Sequence, residues 1–345
     1  MLKAAVLGAT GNVGQIFVQL LNGHPWFKVS VLAASEKSAQ RKYSEAVKWR
    51  QPTPIPEDVA DLDVVSIEPK AVKDVDVVFS ALPADVAQKV EEDFAKAGYV
   101  VVSNASAHRM DPDVPLLNPE INCDHVSLLE EQRKRRKWDG AIVTNPNCSA
   151  SILTLPLKPI YDKFGINKVI VSTMQAISGA GYPGVPSLDI IDNVIPFIEK
   201  EEEKLETETL KILGSPRKPA NFEISASCHR VPTLDGHMEA VFVKLKREAE
   251  SESIIAAMEN FVGEPQKLKL PTAPEKPVVV RREADRPQTR LDRMVGNGMS
   301  VVVGRVRKDT AFRGVKFVAL GHNTVRGAAG CGILNAEYLK VKGYV

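Results

Sequence analysis

The chain opens with a short β run, Lys3-Ala4-Ala5-Val6-Leu7, which passes directly into Gly8-Ala9-Thr10-Gly11-Asn12-Val13-Gly14 and the helical apolar spacing of Val13 to Leu21. Few features restrict a fold more tightly. Small residues between a strand and a helix let the backbone approach a pyrophosphate, and the helix N-terminus offers free N–H groups and the positive end of its macrodipole. The spacing is G-x-x-G-x-x-G rather than G-x-G-x-x-G, but the physical requirement is the same. A strand–turn–helix of this kind implies a parallel α/β sheet, because a crossover helix is what returns the chain to a parallel neighbour. The start of the chain is therefore expected to bind a dinucleotide.

The alternation continues through residue 147. Strand-like runs at Lys28 to Ala33, Val75 to Ser80, Tyr99 to Ser103 and Ala141 to Thr144 are interleaved with helical stretches at Asp85 to Ala97 and Ser127 to Lys137. The basic cluster Arg133 to Lys137 reads as the solvated, positive C-terminal end of its helix. Beyond Cys148 the texture changes. Long β runs at Lys168 to Gln175, Phe222 to Arg230, Ala240 to Lys246, Ser300 to Arg307 and Val315 to Gly321 have few helices between them. That pattern predicts an α+β domain on a mixed or antiparallel sheet. The Pro-rich stretch Pro265 to Pro277 reads as a surface connection, and Arg326 to Lys342 as a helix that returns to the first domain. The expected division is a Rossmann-type domain of residues 1–147 plus the C-terminal segment 323–345, and a catalytic and dimerisation domain of residues 148–322.

Composition narrows the function classes. Forty-five Lys and Arg stand against 43 Asp and Glu, a net charge of +2, so nothing electrostatic favours nucleic acid or an anionic membrane. No apolar run approaches the roughly 18 residues of a membrane span, and the N-terminus lacks the layout of a signal peptide. Cys123, Cys148, Cys228 and Cys331 lie far apart with no Cys-x-x-Cys pair, which supports neither a metal site nor a disulfide framework. The expectation is a soluble cytoplasmic protein.

The end of the second strand bears on the choice of dinucleotide. An Asp or Glu there usually holds the ribose 2′-hydroxyl of NAD. Here the chain reads Ala33-Ala34-Ser35-Glu36-Lys37-Ser38-Ala39-Gln40-Arg41-Lys42, where hydroxyls and cations suit the 2′-phosphate of NADP. Glu36 is the competing feature, since a shift of one turn would bring it to the ribose. Phe79-Ser80-Ala81-Leu82-Pro83 and Ser103-Asn104-Ala105-Ser106 leave the carboxyl ends of later strands, where the cofactor crevice falls, so Ser80 joins the expected cofactor contacts.

Chemistry enters at Asn145-Pro146-Asn147-Cys148-Ser149, a turn after an apolar run and before a helical stretch, Ser149 to Lys163. Many cysteines are small core residues. A thiol at a helix N-terminus, however, feels the macrodipole, which favours thiolate and a depressed pKa. Such a thiolate can attack a carbonyl while backbone N–H groups hold the oxyanion. His237 follows a glycine at a turn between two strands and suits proton transfer near neutral pH. Arg230 ends the preceding strand, where its fork can grip a carboxylate.

Together Gly8 to Gly14, Ser103-Asn104-Ala105-Ser106-Ala107-His108-Arg109, Asn145 to Ser149, Gln175-Ala176-Ile177-Ser178-Gly179-Ala180-Gly181, and Arg230 with His237 resemble, in order and spacing, the archaeal and fungal branch of the aspartate-semialdehyde dehydrogenases. The resemblance runs end to end. It implies that Cys148 is the acylated nucleophile, His237 the acid/base, and Gln175 the residue orienting the thioester. It gives Arg230 the substrate α-carboxylate, Arg109, Asn147 and Lys204 the phosphate pocket, and Glu201 the substrate ammonium. The register among the glutamates 199–206 stays open. Thr10, Gly11, Asn12, Val13, Ser35, Ser178, Gly179 and Asn323 would line the NADP site.

The implied activity is NADPH-dependent reductive dephosphorylation of L-4-aspartyl phosphate to L-aspartate 4-semialdehyde through a cysteine thioester, in aspartate-family amino-acid biosynthesis. The alternative is an acyl-CoA reductase, such as malonyl-CoA reductase, using the same cysteine, cofactor and arginine. A substrate ammonium needs a nearby anion, which Glu199 to Glu206 supplies and malonyl-CoA does not require. A non-catalytic NADP sensor would have no reason to keep a thiol, a histidine and an arginine in this arrangement. The exposed face of the second sheet would suit a homodimer or homotetramer.

Overall fold

The computed structural model, which describes all 345 residues, contains two six-stranded sheets with helices packed against them. The first contains β1 (Leu2–Leu7), β2 (Phe27–Ala34), β3 (Val64–Ser66), β4 (Val77–Ser80), β5 (Val100–Ser103) and β6 (Ala141–Thr144). Their order is β3-β2-β1-β4-β5-β6, and every pairing is parallel. This is the Rossmann-type order. Helices cover both faces, so every residue of β4, β5 and β6 is buried. The need to fill both faces explains why these strands read as unbroken apolar runs rather than alternating ones. The strand order reverses between β1 and β4, and ligands of such sheets bind in the crevice beyond that point.

The second sheet contains β7 (Ile166–Gln175), β8 (Glu223–Arg230), β9 (His237–Leu245), β10 (Val278–Arg281), β11 (Val301–Asp309) and β12 (Gly314–Gly321). The order is β10-β11-β12-β9-β7-β8. The outer pairs β7–β8 and β10–β11 are parallel and the inner pairs antiparallel, so the sheet is mixed. One face packs on helices Cys148–Phe164, Glu201–Leu213 and Ser251–Glu259 through a cluster of 29 buried apolar residues. On the other face Ile170 is exposed and Met238, Phe242 and Val318 are half-buried.

Three features depart from expectation. β3 and β10 are strands that sequence periodicity did not reveal; with three and four residues they are too short to show a period. The Pro-rich stretch is not a loose surface connection. It forms a helical turn at Glu264–Lys267, buries Pro265 and Leu270, and is pinned by Thr272 N–H donating to Glu337 Oε1 at 2.9 Å. The C-terminal helix is Gly330–Val341, preceded by a π turn at Val325–Ala329. Its Ile333, Leu334, Ala336 and Leu339 join Ala4, Phe17 and Phe79 in a core of 32 buried apolar residues. Glu337 also accepts from His24 at 2.8 Å, and Arg326 forms a fully buried pair with Glu120. No helix is long and apolar enough to cross a membrane.

Candidate active site

The site is built around the turn that ends β6. Asn147 caps the next helix: its Oδ1 accepts from the N–H groups of Ser149 at 2.9 Å and Ala150 at 3.2 Å. The cap satisfies donors the helix cannot pair internally and makes Cys148 its first residue. Cys148 is half-buried. A Cβ on Gly327 would lie 2.6 Å from the Cys148 Cβ, so the π turn before the last helix can pass Cys148 only because that residue has no side chain.

Helix Glu201–Leu213 gives its glutamates different partners. Glu201 is the one that turns in: its Oε1 accepts from Asn147 Nδ2 at 2.9 Å and Gln175 Nε2 at 3.1 Å. Glu202 and Glu206 instead accept from the backbone N–H groups of Cys228 and Ala226, while Glu203 is exposed. Lys204 is half-buried and forms no ion pair, which leaves its ammonium available to an anion. Arg109 donates from Nη1 to Glu208 Oε1 at 3.0 Å and from Nη2 to Asn104 O at 2.9 Å; its Nε is buried without a partner.

The second sheet supplies the opposite wall. Gln175 and Arg230 end β7 and β8 in register, and His237 begins β9 on the far side of β7. Arg230 Nη1 donates to Ala176 O at 2.7 Å, and Ala176 N–H donates to His237 Nδ1 at 3.1 Å. An N–H group only donates, so the neutral imidazole carries its proton on Nε2, which is buried and unpartnered. Gly179 lies over both side chains: a Cβ there would meet Arg230 Nη1 at 2.8 Å and His237 Nε2 at 3.1 Å. Asn323 secures this loop, donating to Ser178 Oγ at 2.8 Å and accepting from Gly236 N–H at 2.8 Å.

Electrostatics correct one expectation. Burial, assisted by the negative charge of Glu201, pushes the Cys148 thiol up to about 12, whereas Arg109, Arg230 and the Ser149 N–H pull it down. The helix terminus acts in the expected direction but is outweighed, so the ligand-free thiol stays protonated. Burial, then Arg230 and His322, holds His237 well below its ordinary range and therefore neutral. Glu239, two residues on and wholly buried, is raised well above the carboxylate range by burial and by Glu201; neither of its oxygens has a partner.

The glycine turn forms a cradle fit for a dinucleotide. Gly8 has φ +75°, and a Cβ there would lie 2.8 Å from Ala81 O; one on Gly14 would lie 2.2 Å from Gly8 O. Helix Asn12–Leu21 starts at Gly11 with no side-chain cap, so its first N–H groups are free for phosphate oxygens. A cleft of about 610 Å³ runs from Asn12 and Ile16 to Ser178, Asp235, Arg293 and His322, bringing the first helix of one half opposite the catalytic loop of the other. Ser35 lies exposed just past β2, with Glu36 and Lys37 also exposed. Thr10 and Val13 flank the turn, half-buried. Ser80 is a correction. It is fully buried and its Oγ donates to Glu91 Oε1 at 2.6 Å, as does Ser103 Oγ, so it braces the ends of β4 and β5 and does not present a hydroxyl to a cofactor.

Sequence reasoning did not single out Glu208, Lys211 or Glu239. Glu208 and Lys211 follow Glu201 at 7 and 10 residues on one helix face, a spacing that could have exposed them. Glu239 gave no signal: on a half-buried strand an acid two residues after a histidine reads as solvent-facing, and tertiary burial overrides that pattern.

Fold and site together define an oxidoreductase with a dinucleotide domain and a cysteine at a capped helix N-terminus. A semialdehyde dehydrogenase NAD-binding domain matches residues 3–129, and a semialdehyde dehydrogenase dimerisation domain matches residues 157–326. The aspartate-semialdehyde dehydrogenase of Methanothermobacter thermautotrophicus is 58% identical over 98% of this chain and 99% of its own. An NADP-dependent malonyl-CoA reductase from Metallosphaera sedula is 47% identical over 100% of this chain and 98% of its own. The crystal structure of aspartate-semialdehyde dehydrogenase with NADP from Candida albicans superposes with a TM-score of 0.92 at 41% identity, covering 100% of both chains. The chain belongs to the aspartate-semialdehyde dehydrogenase family.

Proposed function

We propose that this protein converts L-4-aspartyl phosphate to L-aspartate 4-semialdehyde with NADPH, reversibly, through a thioester on Cys148. The observation that carries this reading is the placement of buried Glu201 beside the Cys148 turn, within hydrogen-bond reach of Asn147 and Gln175. Its charge and that of Arg230 are both felt at the Cys148 thiol. An acid and an arginine both close enough to act on one thiol suit the ammonium and carboxylate of an amino acid. Malonyl-CoA has no ammonium to offer Glu201.

In this reading Cys148 attacks the acyl carbon, and its proton leaves with the departing phosphate, which Arg109, Asn147 and Lys204 receive. The glycine cradle, with Thr10 to Val13, Ser35, Ser178, Gly179 and Asn323, would hold NADP, which when bound supplies the hydride that reduces the acyl carbon. The fixed tautomer of His237 presents Nε2–H to the oxygen of the tetrahedral thiohemiacetal. His237 then stabilises that oxyanion by hydrogen bonding, where proton cycling was expected. Collapse of that oxyanion frees the aldehyde and expels the Cys148 thiolate, which takes up one proton from solvent to restore the resting thiol. Gln175, held by Glu201, orients the acyl group.

We assign residues 1–147 and 323–345 to the cofactor domain and 148–322 to the catalytic and dimerisation domain. The half-buried apolar face of β7, β9 and β12 suits a homodimer or a dimer of dimers, and the four free thiols suit the reducing cytoplasm. The test runs the reaction in reverse, with NADP and either aspartate semialdehyde plus phosphate or malonate semialdehyde plus CoA. NADPH should form in the first mixture, at a rate that depends on phosphate. Formation in the second alone would reassign the enzyme.

A further inference from the structure

We propose that Glu208 is a positioning residue for the phosphate half-reaction, holding the anion-binding Arg109 and the turn of the nucleophile in one fixed relation. The proposal rests on the reading above that Arg109 receives phosphate.

Glu208 is 1% exposed and both of its oxygens are used. Oε1 accepts from Arg109 Nη1 at 3.0 Å, and Oε2 accepts from the backbone N–H of Asn147 at 2.6 Å. One carboxylate thus spans the cation of the anion pocket and the residue that caps the Cys148 helix. One turn further along the same helix, Lys211 Nζ donates to the carbonyls of Arg109, Asp111 and Val114 at 2.6, 2.8 and 3.0 Å. The arginine is therefore fixed through its guanidinium and its backbone from a single helix, which also carries Glu201 at the amino-acid end of the site. Only one guanidinium nitrogen faces Glu208. Nη2 donates to Asn104 O, and the buried Nε, which has no partner, is left to a phosphate oxygen. A fork aimed in advance loses less freedom on binding than a mobile one, so removing its brace should weaken phosphate more than the carbon substrate.

Glu208→Gln breaks the bridge by chemistry rather than by size. Both partners are donors, and an amide offers one acceptor oxygen where the carboxylate offers two. In the oxidative direction the KM for phosphate should rise about tenfold or more, with the KM for aspartate semialdehyde changing less than about threefold. Phosphate protection of Cys148 against iodoacetamide, measured without cofactor, should need correspondingly more phosphate. Glu208→Asp, which keeps charge and both acceptors, should recover part of the loss, and it decides the matter if Glu208→Gln does not fold. The double variant with Arg109→Leu separates the two levels. If Glu208 acts through Arg109, Glu208→Gln adds less than about twofold to the phosphate KM in that background. An undiminished effect there, or a wild-type phosphate KM in Glu208→Gln, overturns the proposal. An unchanged phosphate KM in Arg109→Leu alone would instead remove the phosphate role of Arg109, and this proposal with it.

Discussion

Glu201 sits where two demands conflict. In the proposed mechanism its carboxylate receives the substrate ammonium, yet the same charge helps keep the Cys148 thiol protonated. Substrate binding would relieve that penalty, since an ammonium on Glu201 cancels the field at sulfur. Glu201→Gln should therefore act in opposite directions on two readouts. Iodoacetamide should alkylate Cys148 of the free enzyme severalfold faster at neutral pH, while the KM for aspartate semialdehyde rises by roughly tenfold or more. A slower alkylation would show that Glu201 does not oppose ionisation. His237 makes a second residue-scale case, because its hydrogen bond from Ala176 makes Nε2 a donor. A glutamine can place an amide N–H near the Nε2 position, whereas asparagine falls short of it. His237→Gln should keep at least about ten times the kcat of His237→Asn, which should lose roughly 10²–10⁴. With the imidazole held well below its ordinary range, the wild-type kcat/KM profile, which reports the free enzyme, should show no histidine limb in the usual histidine range. Equal loss in both variants, or such a limb, would restore a proton-transfer role.

Among the elements, the turn after β2 is the one proposed to govern cofactor choice. No acid occupies Ala33, Ala34 or Ser35, so a 2′-phosphate meets no fixed negative charge at the strand end. Ser35→Asp should lower the preference for NADP over NAD at least about tenfold, by like-charge repulsion of about 1–3 kcal/mol in a partly desolvated site. An unchanged ratio would place the 2′-phosphate elsewhere, with Glu36 or Lys37 as the next residues to vary. The long elements could be read in advance because their periodicity is strong. β1, β7 and helix Asn12–Leu21 fall within two residues of their expected bounds. The short strands β3 and β10 could not, because three or four residues carry no period, and the strap at 264–277 could not, because it is pinned by Glu337 of the C-terminal helix. The site divides in the same way. Cys148, Gln175, Arg230 and His237 stand at ends of elements with clear patterns. Glu208 and Glu239 acquire their surroundings only when the helix and β9 pack, and the burial that reverses the pull of the helix terminus on Cys148 is a property of the assembled site.

At the scale of the whole molecule, the halves meet at the chemistry. The cradle at Gly8 to Gly14 and the turn of Cys148 both follow strands of the first sheet, while Gln175, Arg230 and His237 come from the second. The C-terminal π turn passes between them and touches Cys148 through Gly327. Helix Glu201–Leu213 closes the arrangement by holding Asn147, Arg109 and Gln175 at once. The turn of Cys148, Glu201 and Arg109 are therefore tied into one connected unit, which in the proposed mechanism holds an aspartyl group on sulfur until phosphate or reductant removes it. The most direct measurement is to incubate the enzyme with NADP and aspartate semialdehyde without phosphate, quench in acid, and digest for mass spectrometry. The aspartyl group should be found on the peptide containing Cys148, disappear when phosphate is added before the quench, and be absent from Cys148→Ser. An aspartyl adduct on Cys123, Cys228 or Cys331, or one on Cys148 that phosphate does not discharge, would contradict the thioester mechanism.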